Sequence, residues 1–330
     1  MTGTVMGLAA AALFLASCVS FLASVSLVRA SVVSSVRASV VRASASAQQA
    51  PVFRSSVDLV NLGVTVTDRK GNLVTDLTAE DFEIVEDGKA QTLRYFAGGN
   101  GDGAVPAMHL GLMLDVSESM GEDMSFSKTA SIKFLNTLTD AVDITVVDFD
   151  TEVRAARYSQ NEFARLIERI RRKKASGFTA LYDAVGVYLD GAGSQDGRKI
   201  MLLYTDGGDT RSSISFHELI ELLKVSDVTV YPIGELEHQS SSGRAQQRMV
   251  LQQMADVTGG QAFFPTDVKE LESIYQKVVA QIRAQFTIGY LSTNEKTDGA
   301  WRKVEVKVKG KDLRVRARKG YFARRLIPNP

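Results

Sequence analysis

The chain has 330 residues, 45% of them hydrophobic and 23% charged, enough to bury one large core or two modest ones. The net charge of +1 leaves no global field to attract nucleic acid or an anionic membrane. With a single cysteine, Cys18, an intrachain disulfide is excluded, and thiol usage says nothing about the redox compartment.

Residues 1–50 read as an export segment and low-complexity linker. Met6 to Leu27 carries no charge and is rich in Ala, Leu, Val and Ser. Val28-Arg-Ala-Ser repeats at Val36 and Val41. Ala45-Ser-Ala47 resembles a signal-peptidase site, and Leu15-Ala-Ser-Cys18 resembles a lipobox. Cleavage near Ala47 and lipidation of Cys18 each place the rest of the chain outside the cytoplasm, either secreted or periplasmic, and retention as an uncleaved apolar anchor is the alternative. Contact with the membrane is expected only through such an anchor or a lipidated Cys18.

Residues 51–100 read as β. Val57 to Thr67 is β-branched and alternating, Asp68-Arg-Lys-Gly71-Asn is a turn, and Leu77 to Phe82 is a connecting turn. Phe82 to Glu86 is a second strand, Asp87-Gly88 a hairpin turn, and Gln91 to Phe96 a third strand. Gly98-Gly-Asn-Gly-Asp-Gly-Ala is a linker.

From His109 the pattern changes to alternating strand and helix, the signature of a mostly parallel α/β sheet. Leu110 to Leu114 is an apolar run that fits a strand buried on both faces. Helices are expected over Lys128 to Leu138, from Phe163 through Ile170, from Thr179 through Leu189, from Arg248 to Val257 and from Val268 through Ile282. Strands are expected over Asp143 to Phe149, with Val153 to Tyr158 beside it, over Lys199 to Tyr204, over Val228 to Ile233 and, briefly, over Gln261 to Phe264. The tail returns to β at Phe286 to Leu291, Arg302 to Lys309 and Leu313 to Arg318. Neither end has enough strands for a sheet with its own core, so the economical reading is one antiparallel β-sandwich, residues 51–100 and 285–323, with an α/β domain at 107–284 inserted between its halves.

The chemistry concentrates at strand ends. Asp115-Val-Ser117-Glu-Ser119 places one carboxylate and two hydroxyls at alternate positions of the turn that follows Leu114. That edge is where open α/β sheets place ligands. These hard oxygens suit Mg²⁺, Mn²⁺ or Ca²⁺ and do not suit zinc or copper. The motif resembles the metal-ion-dependent adhesion site of the von Willebrand factor A domain. Gly177-Phe-Thr179 resembles that family's loop opening a helix, and Leu202-Leu-Tyr-Thr-Asp206 its second strand-end aspartate. The resemblance spans about residues 107–284 and implies a doubly wound, Rossmann-like sheet.

It further implies that Ser117 and Ser119 bind the cation directly and that Thr179 binds directly or through water as its loop moves. Asp115 and Asp206 would act largely through water. Neutral hydroxyl ligands leave the cation's charge poorly cancelled, so an acidic residue of a protein partner can complete its shell. The chain therefore reads as a bacterial cation-dependent protein-binding module rather than an enzyme: no histidine lies on the three turns, and no phosphate-gripping glycine-lysine motif occurs. The alternatives are a metal-dependent hydrolase and an envelope scaffold with an unused metal site. Asp148, Asp150 and Asp209 are extra strand-end carboxylates, read as turn chemistry. His109, His217 and His238 lack ligand spacing and read as structural or surface residues, and Arg171 to Lys174 reads as a solvated helix end.

Overall fold

Alternation builds the first strand. In β1 (Leu59–Thr67), Val60, Leu62, Val64 and Val66 turn inward. A computed structural model describes residues 59–323, except 99–105, 122–123, 139, 238 and 311. The export segment with Cys18 and Ala47, most of the glycine-rich linker and His238 lie outside the described residues. Among the described residues, no helix is long and apolar enough to cross a membrane.

β2 (Phe82–Glu86) and β3 (Lys89–Gln91) form a hairpin. Asp87 and Gly88 both have positive φ, 47° and 82°, as the tight two-residue turn between twisted strands requires. The third strand expected over Gln91 to Phe96 is instead two. Gln91 closes β3 opposite Ile84, the chain crosses at Thr92, and β4 (Leu93–Ala97) belongs to the other sheet.

The inserted domain runs β5 (Met108–Asp115), α1 (Met124–Thr137), β6 (Ala141–Phe149), β7 (Val153–Ser159), α2 (Phe163–Arg172), α3 (Leu181–Ala192), β8 (Arg198–Thr205), α4 (Phe216–Val225), β9 (Val228–Gly234), α5 (Ser241–Thr258) and α6 (Val268–Ala284). Its five strands stand in the order β7-β6-β5-β8-β9, parallel except for the edge strand β7. Helices cover both faces. Leu110, Leu112 and Leu114 face a core shared with α1, α2 and α6, while Met113 faces one shared with α3, α4 and α5. Gly111 lets α3 lie close, because a Cβ there would come within 2.3 Å of the Tyr188 ring. Two details differ from expectation. α4, for which no helix is expected, starts at a capping box in which Ser215 N donates to Glu218 Oε2 at 2.7 Å and Glu218 N donates to Ser215 Oγ at 3.3 Å. The segment 261–264 makes only a single bridge, Phe263 to Ile233, and is no strand.

The chain ends in β10 (Phe286–Leu291), β11 (Trp301–Val308), β12 (Arg314–Arg316) and β13 (Gly320–Phe322). One sheet has the order β12-β1-β10-β4 and the other β13-β11-β2-β3, so each mixes strands from both ends of the chain. Leu62, Val64, Ile84, Phe286, Ile288 and Val304 fill the space between them. The expected fold class, a doubly wound α/β sheet with a smaller antiparallel sandwich drawn from both termini, is the one found. Arg316 fastens the sandwich to the inserted domain through Gln261 and, at 2.7 Å, Gln281.

Glu86 is the one carboxylate buried in the sandwich core region among the described residues, at 2% exposure. It accepts from Tyr290 Oη at 2.8 Å, Tyr321 Oη at 2.9 Å and Ser292 Oγ at 2.6 Å. Burial, with the Glu86 carboxylate adding to it, pushes the Tyr290 hydroxyl far above its usual value, so it remains a donor. Glu86→Ala strands three hydroxyls at once. We expect a loss of about 3 kcal/mol in urea unfolding, with Glu86→Gln losing less. A loss under about 1 kcal/mol would show that water replaces the carboxylate.

Candidate metal centre

β5 is the central strand. The chain leaves it toward β6 and β7 on one side and later returns to β8 and β9 on the other, so the sheet's switch point lies at the carboxyl end of β5. Asp115 closes β5 and Asp206 immediately follows β8, one on each side of that crevice.

The Asp115 turn is held in shape from within. Val116 N extends the ladder to Phe149 O at 2.8 Å, and fully buried Met120 pins the short 3-10 turn Glu118–Met120 to the core. Asp115 Oδ1 accepts from Ser117 N at 3.0 Å and from Ser117 Oγ at 2.6 Å, and Oδ2 accepts from Thr205 Oγ1 at 2.6 Å. The single Ser117 hydroxyl proton is thereby committed to Asp115, so its oxygen lone pairs are left for other partners. Ser119 Oγ lies 3.1 Å from Ser117 Oγ. Asp115 and Ser117 are buried, whereas Glu118 and Ser119 are exposed at the rim.

The second loop is stitched to both turns. Gly177 O accepts from Glu118 N at 3.0 Å, and Ser176 N donates to Val116 O at 2.8 Å. Gly177 has φ of 76°, and a Cβ there would meet Thr151 Oγ1 at 2.5 Å, so this position demands glycine. That Thr151 oxygen accepts instead from Phe178 N at 2.9 Å. Buried Thr179 donates its N–H to Thr210 Oγ1 at 3.0 Å, and its carbonyl accepts from Thr210 N and Arg211 N. Asp206 Oδ1 accepts from Gly208 N at 2.9 Å and Oδ2 from Gln239 Nε2 at 3.1 Å.

Electrostatics favour a cation here. Burial pushes the Asp115 carboxyl up to about 7 against the hydrogen bonds from Ser117 and Thr205, and nearby Asp206 adds to the rise. Among the described residues, no Lys or Arg pairs with Asp115 or Asp206. Two carboxylates facing one crevice, ringed by hydroxyls and lacking a protein counter-charge, form a donor set that fits a hard divalent ion.

The other carboxylates are spoken for. Asp209 accepts from Tyr182 N at the start of α3 and from Ser212 Oγ at 2.6 Å. Asp148 is buried against Arg169 and Lys173, and Asp150 pairs with Arg154 at 3.1 Å. His109 sits at the opposite end of β5, where Nδ1 is 3.0 Å from Asp143 and Nε2 is 2.9 Å from Asp196 O. His217 is exposed. Phe178, at 64% exposure, stands on the loop between Gly177 and Thr179 as an uncovered ring. Thr205, Thr210 and Gln239 belong to this centre but carry no local motif. Thr205 alone has a legible hint, since it alternates with the strand residues and immediately precedes Asp206.

The family model of the von Willebrand factor type A domain matches residues 109–277. No curated protein matches the chain. Similar solved structures include a von Willebrand factor type A protein from Catenulispora acidiphila, 15% identical over 83% of this chain and 75% of that one, with a TM-score of 0.46. Another is the vWF domain of the type V pili tip protein Mfa5 from Porphyromonas gingivalis, 12% identical over 59% and 99%, with a TM-score of 0.45. A third is an aerotolerance-related membrane protein from Bacteroides fragilis, 13% identical over 53% and 98%, with a TM-score of 0.44.

Proposed function

The chain belongs to the von Willebrand factor type A domain family, and from that premise we propose that it is a divalent-cation-dependent protein-binding module of the cell envelope or the secreted fraction. The observation that carries this reading is that Asp115 and Asp206 flank the switch-point crevice together with, among the described residues, no basic side chain paired to either. Ser117 and Ser119 would hold Mg²⁺, or Mn²⁺ or Ca²⁺, through their hydroxyls, with Thr179 joining them and Asp115 and Asp206 acting through water. When bound, the cation supplies an electrophilic position open to a carboxylate of the partner protein. The residues of this chain do the rest. Asp115 orients Ser117 through two hydrogen bonds, Thr205 fixes the far oxygen of Asp115, and Gln239 holds Asp206. Exposed Ser119, Glu118 and Phe178 form the rim that a partner would meet. The uncharged apolar segment from Met6 to Leu27 supports an extracytoplasmic location.

The test is capture of envelope proteins on immobilised full chain in Mg²⁺ and in EDTA. Binding should vanish in EDTA and in the double variant Ser117→Ala/Ser119→Ala. Thr179→Ala should weaken it about tenfold, as expected if that residue contributes only to a minor, tight-binding arrangement. Capture that survives both EDTA and the double serine variant would sink the proposal in favour of a scaffold that binds through its sandwich.

A further inference from the structure

An open groove of about 690 Å³ runs between α1 and the end of α2. Both of its walls lead straight out of the metal turns. Gly121 follows the 3-10 turn Glu118–Met120, and Ala175 precedes Ser176 and Gly177, which bond to Val116 and Glu118. On α1 the lining residues Met124, Lys128 and Ile132 recur every four positions, one stripe about 12 Å long at 1.5 Å per residue. The basic run after Ile170 forms the facing wall through Arg171, Lys173 and Lys174. Five basic side chains therefore line the groove and, among the described residues, no acidic one does. Two of the five are neutralised, Lys133 by Glu272 and Lys173 by Asp148. Lys128 Nζ reaches across to backbone carbonyls, that of Arg171 at 3.1 Å and that of Lys173. Arg171 and Lys174 are exposed, and among the described residues no carboxylate pairs with either of them or with Lys128. Burial and the neighbouring Lys174 hold the Lys128 ammonium below its usual value, as befits cations crowded without a counter-anion.

Three accessible cations without counter-charges, in a groove that opens at the rim where a partner would dock, specify the chemistry of what lies there. We propose that the groove receives an acidic stretch of the partner protein, whose carboxylates meet Lys128, Arg171 and Lys174. The inference rests on the proposed binding function and adds the partner's sequence character. A stripe of about 12 Å takes roughly four residues of extended chain at about 3.3 Å each. A peptide leaving the cation along either wall would enter the groove without turning back. Such charge complementarity speeds encounter and rejects basic partners more than it adds raw affinity.

Fluorescein-labelled hexaglutamate serves as the probe and labelled hexaglutamine as the neutral control, read by fluorescence anisotropy on the full chain at low ionic strength, in Mg²⁺ and in EDTA. Hexaglutamate should bind saturably in both, at least about tenfold more tightly than hexaglutamine. Arg171→Gln/Lys174→Gln should weaken it about tenfold. Lys303→Gln/Lys307→Gln makes the same change of net charge at exposed positions of β11 and should weaken it less than about twofold. Ser117→Ala/Ser119→Ala should remove only the extra affinity that Mg²⁺ adds. Groove-dependent binding with no Mg²⁺ increment would count against the metal reading alone and leave the groove assigned. Equal weakening by the two charge-matched variants, no preference for hexaglutamate, or tighter groove-dependent binding to phosphatidylglycerol vesicles than to hexaglutamate would overturn the proposal.

Discussion

Asp115→Ala is expected to abolish the thermal stabilisation that Mg²⁺ gives the wild-type chain. A cation bound only by the folded state stabilises by mass action, about 2.7 kcal/mol when it is present at a hundredfold excess over its Kd. Asp115 fixes the Ser117 hydroxyl at 2.6 Å, holds Thr205, and with Asp206 raises the negative potential of the crevice. Without it the hydroxyls are free to turn, and one of the two charges is gone. The metal-free protein should change little. Losing the hydrogen bonds from Ser117 and Thr205 is offset by removing a carboxylate that burial and Asp206 already disfavour. Differential scanning fluorimetry of wild type and variant, with Mg²⁺ and with EDTA, provides the measurement. An equal Mg²⁺-dependent shift in both would remove Asp115 from the site.

Truncation after Ala284 should unravel the N-terminal strands while leaving the inserted domain folded. β10 lies between β1 and β4, β12 covers the other side of β1, and β11 is the neighbour of β2. Removing the tail leaves β1 and β4 without any strand partner and leaves β2 with only its hairpin mate β3. A lone hairpin is marginal in water. The core also loses Phe286, Ile288, Tyr290 and Val304, at about 1.5–3 kcal/mol for each large apolar side chain. No strand of the sandwich pairs with β5 to β9, so hydrogen exchange should show protection lost in 59–97 and kept in 108–234. Retained protection in β1 would mean that the two ends are stable apart.

Burial on both faces made the central strands legible. Leu110 to Leu114 and Ile200 to Tyr204 are apolar runs because helices cover the sheet above and below. The polar turns that end them stand out against that background, which is why Asp115, Ser117, Ser119, Thr179 and Asp206 could be picked from the sequence, and the structure gathers their turns at one sheet edge. The positions that escaped depend on partners far along the chain. Thr92 carries no turn signal, yet the strand changes sheets there because Gln91 is claimed by β2 and Leu93 by Tyr290. Thr205 and Gln239 matter only through Asp115 and Asp206. Residues 261–264 read as a strand by composition, but they make only one bridge to the edge strand β9. α4 was readable in Ser215 and Glu218, a start signal obscured by the polar run before it.

The register of β1 against β10, Leu59 opposite Leu291, sets the order in which this molecule can be finished. A ribosome releases β1 to β4 first and must then make the whole inserted domain before their partner strand exists. The inserted sheet can close as soon as β9 has emerged, since its strands pair only with one another. Until the tail follows, β1 presents bare edges, the kind of surface that recruits stray strands from other nascent chains. Once the insert has folded, it brings Ala97 and Thr287 together as a short closed loop would, and the entropy of joining the two ends of the sandwich is largely settled in advance. A lesion in the core of the insert would therefore surface first as a sandwich that closes late.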